Sequence, residues 1–310
     1  MAWLLQNVMA MVAIQRILCP VDLSDISRRA LEYAVLVARW YRATVHVMLV
    51  EPVVLSPVDF PPMAAVTGLT PEARAALTER LDRFVAGVAS PGVTIETSVA
   101  EGFVIEEILA RVRDTSADLL VMGTHGRGGF QQLVLGSITE KVLRKVKCPV
   151  LTVPPGAGAT PTVPGPFTSI LCATDFSNAS LTALEYAISL AQEAGSRLTV
   201  VHAVEWPSED VAAELHSPAF VEYRERLEAR LHKQLEALIP ASVRETCSAE
   251  AVLMTGKPAV EIARLARDTV ADLIVLGVHG RGVVDLALFG STSHRVIRQA
   301  PCPVMTVRSK

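Results

Sequence analysis

Residues 113–128 read Arg113-Asp114-Thr115-Ser116-Ala117-Asp118-Leu119-Leu120-Val121-Met122-Gly123-Thr124-His125-Gly126-Arg127-Gly128. The same pattern returns from Arg267 to Gly282, 154 residues later. Asp22 and Asp175, each closing a short apolar run, lie 153 residues apart. Ile17-Leu18-Cys19 matches Ile170-Leu171-Cys172, and Cys148-Pro149-Val150 matches Cys302-Pro303-Val304. The period is the size of a whole domain, so the chain is a duplication and not a solenoid of short units. Two domains are expected, 13–154 and 167–308, joined by a Pro/Gly-rich linker over 155–166.

Within each half, short apolar runs alternate with helix-period segments. Ile17–Val21, Thr44–Val50, Val93–Val99, Leu119–Met122 and Val150–Val153 read as strands. The Ile17–Val21 run is continuously apolar, as in a strand buried on both faces. Ser24 is placed to cap a helix carrying Ala30, Leu31, Ala34, Val35 and Ala38 at helical spacing. Thr70-Pro71 opens another helix with a cap and a first-turn proline. Ile105–Val112 and Ser137–Val146 supply two more, and the second half is expected to repeat this order. Alternating strands and helices give an α/β fold, with a doubly wound five-stranded parallel sheet in each of two tandem domains.

Composition narrows the function. Of 310 residues, 50% are apolar and 20% charged, and the net charge is −3. Without clustered Lys and Arg there is no footprint for nucleic acid. Met1 to Ile14 carries no charged side chain but is too short to span a bilayer. It lacks the basic start and small-residue cleavage site of a secretory signal. It reads as a disordered start or as an apolar tail packed on a subunit. No membrane insertion and a cytoplasmic location are expected. The five cysteines have no CxxC or Cys/His spacing, and no metal site from protein side chains is expected.

The loop after the fourth strand carries the chemistry. It runs Gly123-Thr124-His125-Gly126, nine residues, then Gly136-Ser137. In the second half it runs Gly277-Val278-His279-Gly280, nine residues, then Gly290-Ser291. Glycines let backbone N–H groups approach an anion, and Gly-Ser at a helix start offers unpaired N–H groups to phosphate. Arg127, Gly128, Arg281 and Gly282 extend the loop and add charge. In an open parallel sheet ligands bind beyond the carboxyl ends of the strands, where Asp22 and Asp175 also fall. A carboxylate there can accept ribose hydroxyls. Neither Gly-Ser is preceded by the Gly-Lys of a P-loop, and Gln131 stands where a dinucleotide fingerprint needs its third glycine. There is no GxSxG nucleophile elbow. His125 and His279 have no recognisable nucleophile or paired acid nearby, so a loop-shaping or ligand-touching role is expected of them and no dedicated catalytic activity. His46 and His202 read as structural or surface residues.

These motifs resemble the universal stress protein family in its tandem-domain, ATP-binding form. The G-x2-G-x9-G-S loop, the strand ends Pro20-Val21-Asp22 and Ala173-Thr174-Asp175, and the two Cys-Pro-Val strands carry the resemblance. It implies a Rossmann-like sheet with strand order 3-2-1-4-5 and ATP, with Mg2+, in each half. By that analogy Asp22 and Asp175 hold ribose. Gly136-Ser137 with Ile138 and Thr139, and Gly290-Ser291 with Thr292 and Ser293, hold phosphates. Met122 and Leu49, and Leu276 and Ala203, line the adenine. Occupancy would be signalled through a homodimer or an unknown protein partner. The alternatives are a slow ATP hydrolase or nucleotidyl-transfer enzyme on the same fold, and a scaffold that binds nothing.

Overall fold

The computed structural model describes residues 12–53, 68–88, 90–126, 135–155, 167–206, 217–278 and 290–309. The apolar N-terminus up to residue 11, most of the expected linker, and the site candidates Arg127, Gly128, His279, Gly280, Arg281 and Gly282 lie outside the described residues. The described residues form two units, one within Ala13–Gly165 and one within Pro166–Lys310.

In the first unit the order is β1 (Arg16–Val21), α1 (Asp25–Tyr41), β2 (Thr44–Pro52), α2 (Pro71–Ala86), β3 (Thr94–Gly102), α3 (Val104–Asp114), β4 (Leu119–Gly123), α4 (Ser137–Lys145) and β5 (Val150–Val153). The strands are parallel, in the order β3-β2-β1-β4-β5. Ile17, Leu18 and Cys19 are fully buried, because β1 sits in the middle of the sheet. The Ser24 hydroxyl accepts the Ser27 N–H at 3.2 Å and starts α1. Thr70 caps α2 in the same way, through the Ala73 N–H, with Pro71 in the first turn. The repeated Asp118 has a structural job at the amino end of the sheet. Its carboxylate accepts the Gln15 and Arg16 N–H groups at 2.9 Å each, tying the entry of β1 to that of β4.

The second unit runs β6 (Ser169–Ala173), α5 (Asn178–Ala194), β7 (Arg197–Val204), α6 (Pro218–Glu236), α7 (Ala241–Thr246), β8 (Ala249–Thr255), α8 (Pro258–Asp268), β9 (Leu273–Gly277), α9 (Ser291–Gln299) and β10 (Val304–Val307). Its parallel strands lie in the order β8-β7-β6-β9-β10, the same winding. Asp272 repeats the role of Asp118, accepting the Thr168 N–H at 2.7 Å. The second half is not a strict copy. The short α7, opened at Pro240, has no counterpart among the described residues of the first half. Among the described residues no helix is long and apolar enough to cross a membrane.

Candidate functional site

The carboxyl ends of β1 and β4 are neighbours, since Ile17 pairs with Leu119 and Leu18 with Leu120. Beyond those ends lies a cavity of about 1030 Å3 in the first unit. The twelve first-half candidates within the described residues all line it. Pro20, Val21 and Asp22 come from the end of β1, and Leu49 from β2. Met122, Gly123, His125 and Gly126 come from the end of β4 and its loop. Gly136, Ser137, Ile138 and Thr139 come from the start of α4. The sequence reading missed Leu23, the Leu77 and Arg80 pair on α2, and Val104 and Ile108 on α3, which also line it. The last two pairs stand three and four residues apart on their helices, a spacing that core packing alone also produces.

Asp22 is held in place. Its Oδ1 accepts the Ser24 N–H at 3.1 Å and the Ser24 hydroxyl at 2.5 Å, so it braces the residue that caps α1. Leu23, between them, has φ 64°, the left-handed region that a branched side chain seldom occupies. Phe176 repeats this at φ 62°, after Asp175. The bend therefore belongs to the aspartate turn in both halves, and such strain gathers at functional sites. A Cβ on Gly126 would stand 2.9 Å from Asp22 Oδ2, so the glycine lets loop backbone approach the carboxylate.

The start of α4 is built by Gly136. Its N–H donates to the Thr124 carbonyl at 2.8 Å, and a Cβ there would lie 2.9 Å from that same oxygen. Among the described residues no side chain caps this helix, whose first-turn N–H groups have no acceptors within the helix. Ser137 is exposed beside the cavity, and its hydroxyl has no hydrogen bond among the described residues. Thr139 differs. It is buried, and its hydroxyl donates to the Gly123 carbonyl at 2.9 Å, which fastens α4 to β4. His125 Nδ1 pairs with the Thr124 hydroxyl at 2.9 Å, while its buried Nε2 has no hydrogen-bond partner among the described residues.

The second unit keeps the frame and changes the walls. Asp175 Oδ1 accepts the Ser177 N–H at 3.0 Å and the Ser177 hydroxyl at 2.5 Å. Burial works against ionisation of this carboxyl, but the bonds from Ser177 and Ser180 outweigh it and hold the pKa below the ordinary value. Ala173 ends β6, and Thr174 follows it, buried. The Thr174 hydroxyl accepts the Phe176 N–H at 3.0 Å and pairs with the Ser180 hydroxyl at 3.0 Å. Gly290 is the N-cap of α9, with Ser291 and Thr292 exposed in the first turn. Ser293 is buried and bonds the Gly277 carbonyl at 2.9 Å, as Thr139 does in the first half. Leu276 is buried in β9.

Strand register sets the correspondence between the halves at the second strand of each. Cys19 pairs with Val47 in the first half and Cys172 with Val200 in the second. Two residues further along, Leu49 therefore matches His202, and Ala203 matches Val50. Leu49 and Val50 both line the first-half cavity, so His202 and Ala203 both repeat lining positions, and His202 stands at the repeat of Leu49. His202 Nδ1 lies 2.7 Å from the Thr174 carbonyl, and its ring packs on Phe176 with centroids 4.7 Å apart.

A family model described as the universal stress protein family matches residues 13–154 and again 166–308. A universal stress protein of Thermus aquaticus is 40% identical over 143 residues, covering 46% of this chain and 99% of that protein. One from Mycolicibacterium smegmatis is 27% identical over 310 residues, covering 95% of this chain and 97% of its own. Among solved structures, a universal stress protein from Archaeoglobus fulgidus superposes with a TM-score of 0.66 at 24% identity, covering 96% of this chain and 98% of that one.

Proposed function

The chain belongs to the universal stress protein family, and from that premise we propose that it is a regulatory stress-response protein that binds ATP, its occupancy read by a homodimer or a partner protein. The observation that carries this reading is the first-half cavity. It brings a braced carboxylate and an uncapped helix start to the carboxyl edge of a parallel sheet. The first-turn N–H groups of α4, with the positive end of its dipole and the Ser137 hydroxyl, suit the phosphates. Asp22 suits the ribose hydroxyls. Leu49, Met122 and Val21 give an apolar wall for the base. About 1030 Å3 is at the upper end of ordinary ligand pockets and has room for a nucleoside triphosphate. Among the described residues no group of three or more His, Cys, Asp and Glu could hold a metal. Mg2+ would be carried by the phosphates and water with at most one or two carboxylates, as it commonly is. The second half repeats the aspartate turn and the Gly290-Ser291 helix start, so phosphate has an anchor there too.

Calorimetry on nucleotide-stripped protein tests the reading. ATP should bind, and Asp22→Asn and Ser137→Ala should each weaken binding about tenfold, the size of one lost hydrogen bond to a charged group. No heat of binding by the unaltered chain, with its fold verified by circular dichroism, would reject it. One observation favours a second reading, slow ATP hydrolysis. The Nε2 of His125 is buried beside the cavity with no partner among the described residues, where it could orient a water. Phosphate release that is measurable in the unaltered chain and lost in His125→Ala, with ATP still bound, would support it. Retained ATP with no product would exclude it.

A further inference from the structure

We infer that the two halves are not equivalent, and that the second half keeps its own base slot closed with Phe176 and His202, so that each chain holds a single nucleotide, in the first half. This rests on the nucleotide reading above. In the first half Leu23 and Leu49 line the cavity beside Val21 and Met122, on the apolar wall assigned to the base. The matching residues of the second half are Phe176 and His202. They are bound to each other and to the sheet. Phe176 and His202 pack ring on ring at 4.7 Å, in a tilted arrangement of the kind aromatic pairs favour. His202 Nδ1 reaches across from β7 to the carbonyl of Thr174, the residue between the end of β6 and Asp175, at 2.7 Å. The imidazole therefore lies over the ends of both strands, where a base would enter. No leucine can make that bond, so Leu49 leaves the same edge open.

The backbone supports the arrangement from below. The Phe176 N–H is fixed to the Thr174 hydroxyl at 3.0 Å, and that hydroxyl is paired to Ser180 in α5. The first half has Val21 at the place of Thr174, with no hydroxyl to give. A base entering the second half must break the ring pair and the imidazole–carbonyl bond together, whereas among the described residues no such pair stands at the matching positions of the first half, Leu23 and Leu49. The Gly290-Ser291 helix start at the phosphate end is retained in the second half, so the described difference lies at the base end.

The test exchanges the two pairs of side chains in the full chain. ATP titration of the unaltered, nucleotide-stripped protein should give one site per chain, with affinity at the second at least tenfold weaker. Leu23→Phe with Leu49→His should abolish the tight site. The left-handed turn at residue 23 already tolerates Phe at its repeat, residue 176, so the backbone needs no change. Phe176→Leu with His202→Leu should raise the stoichiometry to two. Two equal sites in the unaltered chain would overturn the inference while leaving the nucleotide reading intact. So would one tight site that survives Leu23→Phe with Leu49→His, or a stoichiometry still at one after Phe176→Leu with His202→Leu in a variant that melts like the unaltered chain. Absence of ATP binding in all three proteins would overturn the nucleotide reading and this inference with it.

Discussion

Gly277 and Gly123 occupy the same place in the repeat, but their surroundings predict different costs for a single methyl group. A Cβ on Gly277 would stand 2.5 Å from the Ser180 nitrogen and 2.6 Å from the Ala179 carbonyl carbon, both backbone atoms of α5. The helix cannot step aside without losing its packing on β9. On Gly123 the first contact, at 2.6 Å, is the Ile26 Cγ2 methyl, which has some freedom to turn. Gly277→Ala should cost about 3 kcal/mol and Gly123→Ala about 1 kcal/mol, read from denaturant titrations. The first glycine of each loop thus serves helix packing, a reading that the anion-binding pattern alone did not reveal. Asp175 yields a second prediction. Its folded pKa lies below the unfolded value of about 4, so its contribution is complete above that value and is lost as pH falls through the folded one. The stability gap between the unaltered chain and Asp175→Asn should therefore be steady from pH 7 to 5 and shrink below about pH 4. The carboxyl is partly exposed, so solvent screening holds the gap to on the order of 1 kcal/mol. A gap that widens in acid would contradict the assigned bonds. The aspartates themselves were legible, because each ends an apolar run at a fixed place in the repeat. The left-handed backbone just after them was not, since neither leucine nor phenylalanine advertises a positive φ.

At the scale of the element, the strand runs and helix caps were readable because local chemistry fixes them. Ser24 and Thr70 cap the helices they were expected to cap, through the third residue's N–H in each case. Ser24 also holds Asp22, so removing its hydroxyl should act twice. Ser24→Ala should cost about 1 kcal/mol of stability, the usual worth of a cap, and also weaken ATP binding. Thermal melting and calorimetry on one preparation would show both effects, and unchanged binding would mean that Asp22 needs no brace. What the elements concealed was register. The run Thr199-Val200-Val201-His202-Ala203-Val204 belongs to a strand with helices on both faces, so it has no alternation to show which side chain faces which way. Counting from the matched cysteines gives the register, and it puts His202 at the repeat of Leu49 and Ala203 at the repeat of Val50. The short α7 escaped for a different reason. The repeat was read from the first half, and the second half inserts this turn of helix at Pro240, before β8.

Across the whole molecule the apolar composition has a plain account. Each unit buries a parallel sheet between helices, and residues such as Leu18, Leu120, Leu171 and Ile274 are fully inaccessible. Cys19 and Cys172 sit at matching places in β1 and β6, both completely buried. Burial pushes the Cys172 thiol up to about 12 and that of Cys19 higher still, so neither offers a thiolate at neutral pH. These two atoms make the chain its own instrument. An alkylating reagent can reach either sulfur only when that half of the protein opens, so each labelling rate reports the opening equilibrium of one half without the other. With ATP present, Cys19 should label more slowly and Cys172 at an unchanged rate, as followed by mass spectrometry of the two peptides. Slowing at both would mean that the nucleotide steadies the halves together. A pair of buried sulfurs, one in each copy of a duplicated domain, thus turns protection against modification into a separate stability record for each copy.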